Sequence, residues 1–183
     1  MHQPNLPQPS VNPLLAEQTA QFRKEIIEVV AGVHVAVGYG LANSVLIEGE
    51  DGVIVVDTLG SKESAEILAA DFANIWGKRL ISAIIFTHNH ADHVLGAGVF
   101  ASEDTPIIAH ETTQHYLERY VGILNRVIAQ RSARQFGIFL PEQWLENAGI
   151  GPYLDTGAGR PPAIRWPTTA TPSNFCMTKQ CAG

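Results

Sequence analysis

The stretch Leu80 to Phe86, LISAIIF, is apolar except for Ser82, and the residues next along the chain, THNHADH, place three histidines and one aspartate within the six positions 88 to 93. A short run with this character is a strand buried on both faces, which requires a sheet with cover on each side. The polar cluster begins where the apolar run ends, so it sits at the carboxyl end of a central strand. The fold must therefore deliver one buried strand and, at its tip, a loop crowded with ligand-type side chains.

The surrounding punctuation gives alternating strands and helices, an α/β chain. Asn12 before Pro13 is a helix N-cap with proline at the first helical position, and the spacing predicts a helix running to about Val30, stopped by Gly32. VHVAVGYG predicts a strand. NSVLIEGEDGVIVVD predicts an antiparallel pair turning at Glu50-Asp51-Gly52. From Ser61, a cap, the residues Ala65, Leu68, Ala69, Phe72, Ile75 and Trp76 recur at helical spacing, with Glu63 favouring the dipole in the first turn. This helix is expected to cover one face of a mixed sheet. TPIIAH predicts another strand, and Tyr116, Leu117, Tyr120, Val121, Leu124, Val127 and Ile128 predict one long amphipathic helix. The expected division is an arm and helix over 1–30, a sheet-bearing domain over 31–154 and an irregular tail over 155–183.

The spacing inside the cluster has a chemical meaning. His88 and His90, two apart on extended backbone, project to one side and can hold a metal through imidazole nitrogens. Asp92 and His93 come next, at the turn into a helix, and can aim a carboxylate and a third imidazole at a neighbouring point. Two metals roughly 3.5–4 Å apart lower the pKa of a water between them and stabilise charge developing on an ester oxygen, which is hydrolytic chemistry. Imidazoles and carboxylate without thiolate suit zinc, with iron or manganese as substitutes. Asp92 is thus a candidate both as ligand and as catalytic carboxylate. Asp57 ends the strand VIVVD and is expected to orient a ligating histidine from behind, since Ser61 already serves as helix cap.

The other histidines read as structural. His110 ends its own strand near the site, and like His34 and His115 it is expected to be a hydrogen-bonded structural residue. GYGLANS lacks a GxGxxG pattern and is expected to be a tight turn. Cys176 and Cys181 have no ligand-type neighbours and read as an incidental pair, with no disulfide framework spanning the domain.

Charge and composition exclude several classes. Residues 1 to 110 carry 13 acids against 5 bases and residues 111 to 183 carry 5 against 7, giving a net charge of −6, so a nucleic-acid partner is not expected. Arg119, Arg126, Arg131 and Arg134 gather in one helix and its exit, which reads as a solvated face. No apolar run approaches the ~18 residues of a membrane span. The N-terminus, proline- and glutamine-rich, has no secretory signal pattern, so the expected location is cytoplasmic or is left open.

THNHADH behind an apolar strand, with a strand ending in Asp57 upstream, resembles the metallo-β-lactamase superfamily. That resemblance implies an αββα sandwich with a binuclear metal site at the sheet edges. VAVGYGLANSVLIEGEDGVIVVDTLGS, THNHADHVLGAGVFA, IIAHETT and RSARQFGIFLP…NAGIGP together resemble its alkylsulfatase branch, zinc enzymes that hydrolyse linear alkyl sulfates, over about Phe22 to Leu154. By motif, His88 and His90 would bind the first zinc, and Asp92 and His93 the second. The substrate would be a small anionic ester.

The family supplies further acidic and histidine ligands from a continuation that does not resemble the residues after Tyr153. The resemblance therefore implies the amino-terminal half of the sandwich only, as in a truncated chain, with about two protein ligands per zinc where zinc wants three or four. A half-sandwich leaves apolar surface uncovered, which favours self-association, for example into a homodimer, or instability. The runner-up readings are another hydrolase of the superfamily, acting on thioesters, lactones or β-lactams, and a non-catalytic fragment with half a metal site.

Overall fold

The computed structural model describes residues 12–77, 79–135 and 175–178. Seven strands form one sheet in sequence order: β1 (Glu25–Val30), β2 (Val33–Val37), β3 (Ser44–Glu48), β4 (Val53–Val56), β5 (Ile81–Ile85), β6 (Ile107–His110) and β7 (Phe175–Thr178). β1 to β4 are antiparallel neighbours, and β4 to β7 run parallel, so the sheet is mixed. The change of sense comes from the connections. The short helix α1 (Pro13–Thr19), capped by Asn12 through Leu14 N–H, precedes the sheet. Short turns join the first four strands, whereas the fifteen-residue helix α2 (Lys62–Trp76) carries the chain from β4 back to β5.

α2 begins as its sequence predicts, with Ser61 Oγ accepting from Ser64 N–H, and lays Ala65, Leu68 and Phe72 on the sheet. Their sheet-side partners are Leu46, Val55 and Ile84, aligned across β3, β4 and β5 by the pairings Leu46 with Val55 and Val55 with Ile84. Tyr39 ties the β2–β3 turn to this helix, its hydroxyl donating to Asp71 Oδ2 at 2.6 Å, and burial together with that bond pushes its phenol well above the usual range. Among the described residues no helix is long and apolar enough to cross a membrane.

Three expectations are corrected. The helix predicted to reach Val30 ends at Thr19, and Glu25–Val30 is instead strand β1. EIIEVV is rich in β-branched residues, which lose rotamer freedom in a helix and fit a pleated surface. Gly32, the expected helix stop, serves the β1–β2 hairpin at φ 76°, its N–H donating to Glu28 Oε1 at 3.0 Å. The single helix predicted over Tyr116 to Ile128 is three pieces: α5 (Thr113–Leu117), a π-helical turn over Glu118–Ile123 and α6 (Asn125–Gln135). The wider turn, with Leu124 N–H donating to Arg119 O, rotates the chain beyond it, so Leu117 is buried but Val127 is exposed. Third, the tail expected to be irregular contributes β7, which pairs with the edge of β6. FCMT is too short to show a period, and an open edge supplies a row of unpaired backbone groups for such a segment.

The four arginines Arg119, Arg126, Arg131 and Arg134 are exposed, as a solvated helix face requires. The part of the family-like stretch from Phe136 to Pro152 and Cys181 lie outside the described residues.

Candidate metal centre

Parallel pairing of β4 with β5, Val56 opposite Ile85, brings the residues after both strands out at the same sheet edge. Asp57 leaves β4 there with its N–H donating to Ile85 O at 2.9 Å, and THNHADH leaves β5 beside it. The chain then enters two short helical segments, α3 (Ala91–Val94) and α4 (Ala97–Phe100). His90 is the N-cap of α3 and makes no side-chain capping bond there, so its ring is not consumed by the helix.

The three histidine rings lie together. His88 and His90 have centroids 4.5 Å apart, and His88 and His93 4.0 Å apart. Asp92 Oδ2 lies 3.3 Å from His93 Nε2. All four predicted ligands are therefore gathered at one strand tip. His34 lies elsewhere, bonded to Glu48 at 2.7 Å. Glu48, at the opposite end of β3 from the loop that precedes it, has its carboxyl held low by His34 and then by Arg79. His115 packs its ring on Tyr116. His110 bonds Thr112 at 2.9 Å and stands at the same sheet edge as the cluster.

Asp57 organises the cluster. Its Oδ1 accepts from Thr87 N–H at 2.9 Å, its Oδ2 accepts from the Thr87 hydroxyl at 2.7 Å, and Oδ2 lies 2.7 Å from His93 Nδ1. A carboxylate only accepts, so His93 carries a proton on Nδ1, and in the neutral ring Nε2 holds the lone pair. The Thr87 hydroxyl has one proton, given to Asp57, and so accepts from His88 Nδ1 at 3.0 Å. His88 in turn presents Nε2 as a lone pair. Burial, then the neighbouring His93 and His90, hold the His88 imidazole below its ordinary range, which keeps it neutral.

These observations test whether the residues fit a metal. With Nδ1–H committed to Asp57, a neutral His93 sets its Nε2 lone pair 3.3 Å from an Asp92 oxygen. Two acceptors at that distance repel unless a proton or a cation lies between them. Imidazole lone pairs oriented by outer hydrogen bonds, beside a carboxylate, are the donor set of a zinc site. The kind of donor fits. The number is short, because among the described residues no three such side chains already converge on one point.

Three contributors escaped the sequence reading. Thr87 bridges Asp57, His88 and the strand tip; the hydroxyl immediately before the first histidine was its only signal. Thr58 grips the motif from the other side, its N–H and hydroxyl reaching His93 O at 2.7 and 3.1 Å. Its flanking residues Asp57 and Leu59 both sit in the left-handed region, at φ 57° and 66°, a strain that non-glycine residues bear only when the surroundings impose it. Gly96 completes the grip. Its N–H donates to Leu59 O at 3.2 Å, and a Cβ there would collide with the Thr58 carbonyl and come within 2.6 Å of Ala65 Cβ.

Two predictions arise here. Gly96→Ala forces backbone apart and is expected to cost about 1–3 kcal/mol, read as a lowered urea midpoint, with the His93 ring displaced from Asp57. In metal-free protein the His88 ring, followed by NMR, titrates below the ordinary imidazole value of about 6.5. Because the folded ring binds its proton later than the unfolded one, its contribution to stability is full at neutral pH and is lost as pH falls through that window. A His88 midpoint above the ordinary value contradicts the arrangement.

Comparison with known proteins places the chain in a family. A linear primary-alkylsulfatase of Pseudomonas sp. (strain ATCC 19151) is 33% identical over 121 residues, covering 62% of this chain and 23% of that protein. An (R)-specific secondary-alkylsulfatase of Pseudomonas sp. is 26% identical over 178 residues, 93% of this chain and 26% of the relative. A double mutant of the sec-alkyl sulfatase PisA1 superposes with a TM-score of 0.72 over 81% of this chain and 25% of its own, at 24% identity, a likeness of fold. The chain thus spans about a quarter of the length of these relatives. Residues 37–172, which include β3 to β6 and every residue of the cluster, match the family model of the metallo-beta-lactamase superfamily, and the chain belongs to that superfamily.

Proposed function

We propose that this chain carries the histidine-rich part of the active site of a zinc-dependent hydrolase acting on alkyl sulfate esters. The observation that carries the reading is the Asp57–Thr87–His93–His88 network, which directs Nδ1 of both neutral imidazoles to outer partners and leaves Nε2 as the metal-type nitrogen, that of His93 lying 3.3 Å from Asp92 Oδ2. His88 and His90 would hold one zinc, and Asp92 and His93 a second. When bound, zinc supplies positive charge for the sulfate oxygens and a water acidic enough to attack near neutral pH. The residues of the chain do the rest. Asp57 keeps His93 in one tautomer, Thr87 does the same for His88, and Asp92 offers a carboxylate oxygen at the point where a proton or cation is required. The likeness to alkylsulfatases favours a sulfate ester over the other esters cleaved on this fold.

Sulfate release from octyl sulfate, run beside a thioester, a lactone and a β-lactam with zinc supplied, tests the reading. With about two donors per ion among the described residues, the 183-residue chain alone is expected to be a weak zinc binder and a slow catalyst. Joining it to the carboxyl-terminal part of an alkylsulfatase relative is expected to raise sulfate release above all three alternatives. Faster turnover of any of those by the joined protein overturns the choice of substrate.

A further inference from the structure

Among the described residues His110 is a further histidine at the sheet edge that carries the cluster, followed by the exposed Glu111, and the proposed zinc-binding network does not use it. β5 and β6 are parallel with Ile85 opposite Ile108, and Phe86 N–H donates to Ile108 O at 2.9 Å, so the pairing continues past the end of β5. Two residues beyond that register, His110 stands level with Thr87, one strand spacing of about 4.8 Å away. Thr87 is bonded directly to His88 and Asp57. On its other side His110 pairs with Thr178 of β7, so it lies between two strand ends and not at the margin of the sheet. In sheets with parallel strands, ligands bind beyond the carboxyl ends.

The ring has a fixed proton arrangement. Thr112 N–H donates to His110 Nδ1 at 3.3 Å, and the Thr112 hydroxyl lies 2.9 Å from the same nitrogen. An amide N–H only donates, so Nδ1 holds the lone pair and the proton sits on Nε2. Both bonds use Nδ1, and the residue is exposed, which leaves Nε2–H open to a ligand. This is the reverse of His88 and His93, whose Nε2 atoms carry lone pairs. At one sheet edge the chain thus sets two metal-type acceptors and one anion-type donor.

We propose that His110 is an anion-binding residue of the site, its Nε2–H donating to a non-reacting oxygen of the substrate's sulfate group. The assignment rests on the sulfate-ester reading and adds to it the side chain that orients the anion. A neutral donor suits this place, because it recognises an oxygen without competing with the cations for charge.

The test uses the chain labelled with nitrogen-15 at histidine and supplied with zinc, titrated with hexyl sulfate, inorganic sulfate and hexanol while the ring nitrogens are followed by NMR. Hexyl sulfate and sulfate are expected to move the His110 Nε2 resonance saturably, and hexanol is not. His110→Phe, which keeps a ring without the donor, is expected to weaken hexyl sulfate binding by about tenfold, since a hydrogen bond to a charged group contributes at least that much. His110→Gln, which restores an N–H, is expected to recover most of it. Unchanged ring signals of His88, His90 and His93 show that each variant is folded. If those three rings respond to hexyl sulfate and His110 does not, or if His110→Phe binds as tightly as the parent, the proposal is overturned and the sulfate-ester reading stands. If no histidine responds to either anion, the proposal is overturned as well, and the turnover assay alone decides the substrate reading.

Discussion

His90→Ala is expected to reduce alkyl sulfate hydrolysis by more than about a hundredfold in a protein that joins this segment to an alkylsulfatase carboxyl-terminal part. The magnitude comes from comparing a ligand with the groups behind it. Removing an outer hydrogen-bond partner of a metal ligand typically costs about 10–100-fold in metal affinity or activity, and removal of the ligand itself must exceed that. His90 suits the test better than His88 or His93. Its ring makes no capping bond in α3 and is exposed, whereas His88 leans on Thr87 and His93 on Asp57. The substitution therefore removes a donor without opening the core, and no capping bond is lost because the native ring makes none. Urea unfolding of the metal-free variant should match the parent to within about 0.5 kcal/mol, as for other surface changes. Retention of full turnover by a correctly folded His90→Ala protein would remove His90 from the metal site, and with it the pairing of His88 and His90 on one ion.

The legible part of this molecule is the part where one local rule acts alone. Ser61 caps α2 and the 3.6-residue spacing from Ala65 to Phe72 buries that face, because a single amphipathic helix on a sheet has no competing solution. The strand Ile81–Ile85 and the placement of THNHADH at its carboxyl end were equally plain. The errors fall where two rules compete. Between Glu25 and Val30 the cap at Asn12 argued for a continuing helix, while the β-branched side chains argued for a strand, and pairing with β2 decided the matter. Over Glu118–Ile123 an apolar period was present, but an i to i+5 bond cannot be inferred from a period. In the candidate site the gathering of the histidines at one strand tip was legible and its support was not. Thr87 and Thr58 act through a hydroxyl and backbone groups across 30 and 35 residues of sequence, and no spacing rule reaches that far. The left-handed conformations of Asp57 and Leu59 are likewise imposed by tertiary contacts, since neither residue type announces them.

Asp57→Asn is expected to uncouple folding from metal binding, because the change keeps the shape and alters only what one atom offers. The native carboxylate accepts three bonds, from Thr87 N–H, the Thr87 hydroxyl and His93 Nδ1–H. In asparagine, the amide oxygen can retain the backbone bond from Thr87, which places the NH2 group against the Thr87 hydroxyl and His93 Nδ1. Two donors then face each other unless His93 moves its proton to Nε2. That shift occupies the lone pair the ring would give to a metal and sets an N–H toward Asp92 instead, a favourable contact in the absence of metal. The metal-free variant should therefore lose little stability, about 1–2 kcal/mol for the altered hydrogen bonds. Its zinc affinity should fall by about 10–100-fold, the usual effect of losing a carboxylate behind a ligating histidine. Nitrogen-15 NMR of the ring gives a direct readout, since the protonated and bare nitrogens resonate far apart and the two should exchange places at His93 in the variant. His88 provides a second readout. With its proton released from the carboxylate, the Thr87 hydroxyl is free to donate to His88 Nδ1, so the two rings should change tautomer together. A variant that binds zinc as tightly as the parent, with the His93 proton still on Nδ1, would show that Asp57 serves the strand tip alone and not the metal site.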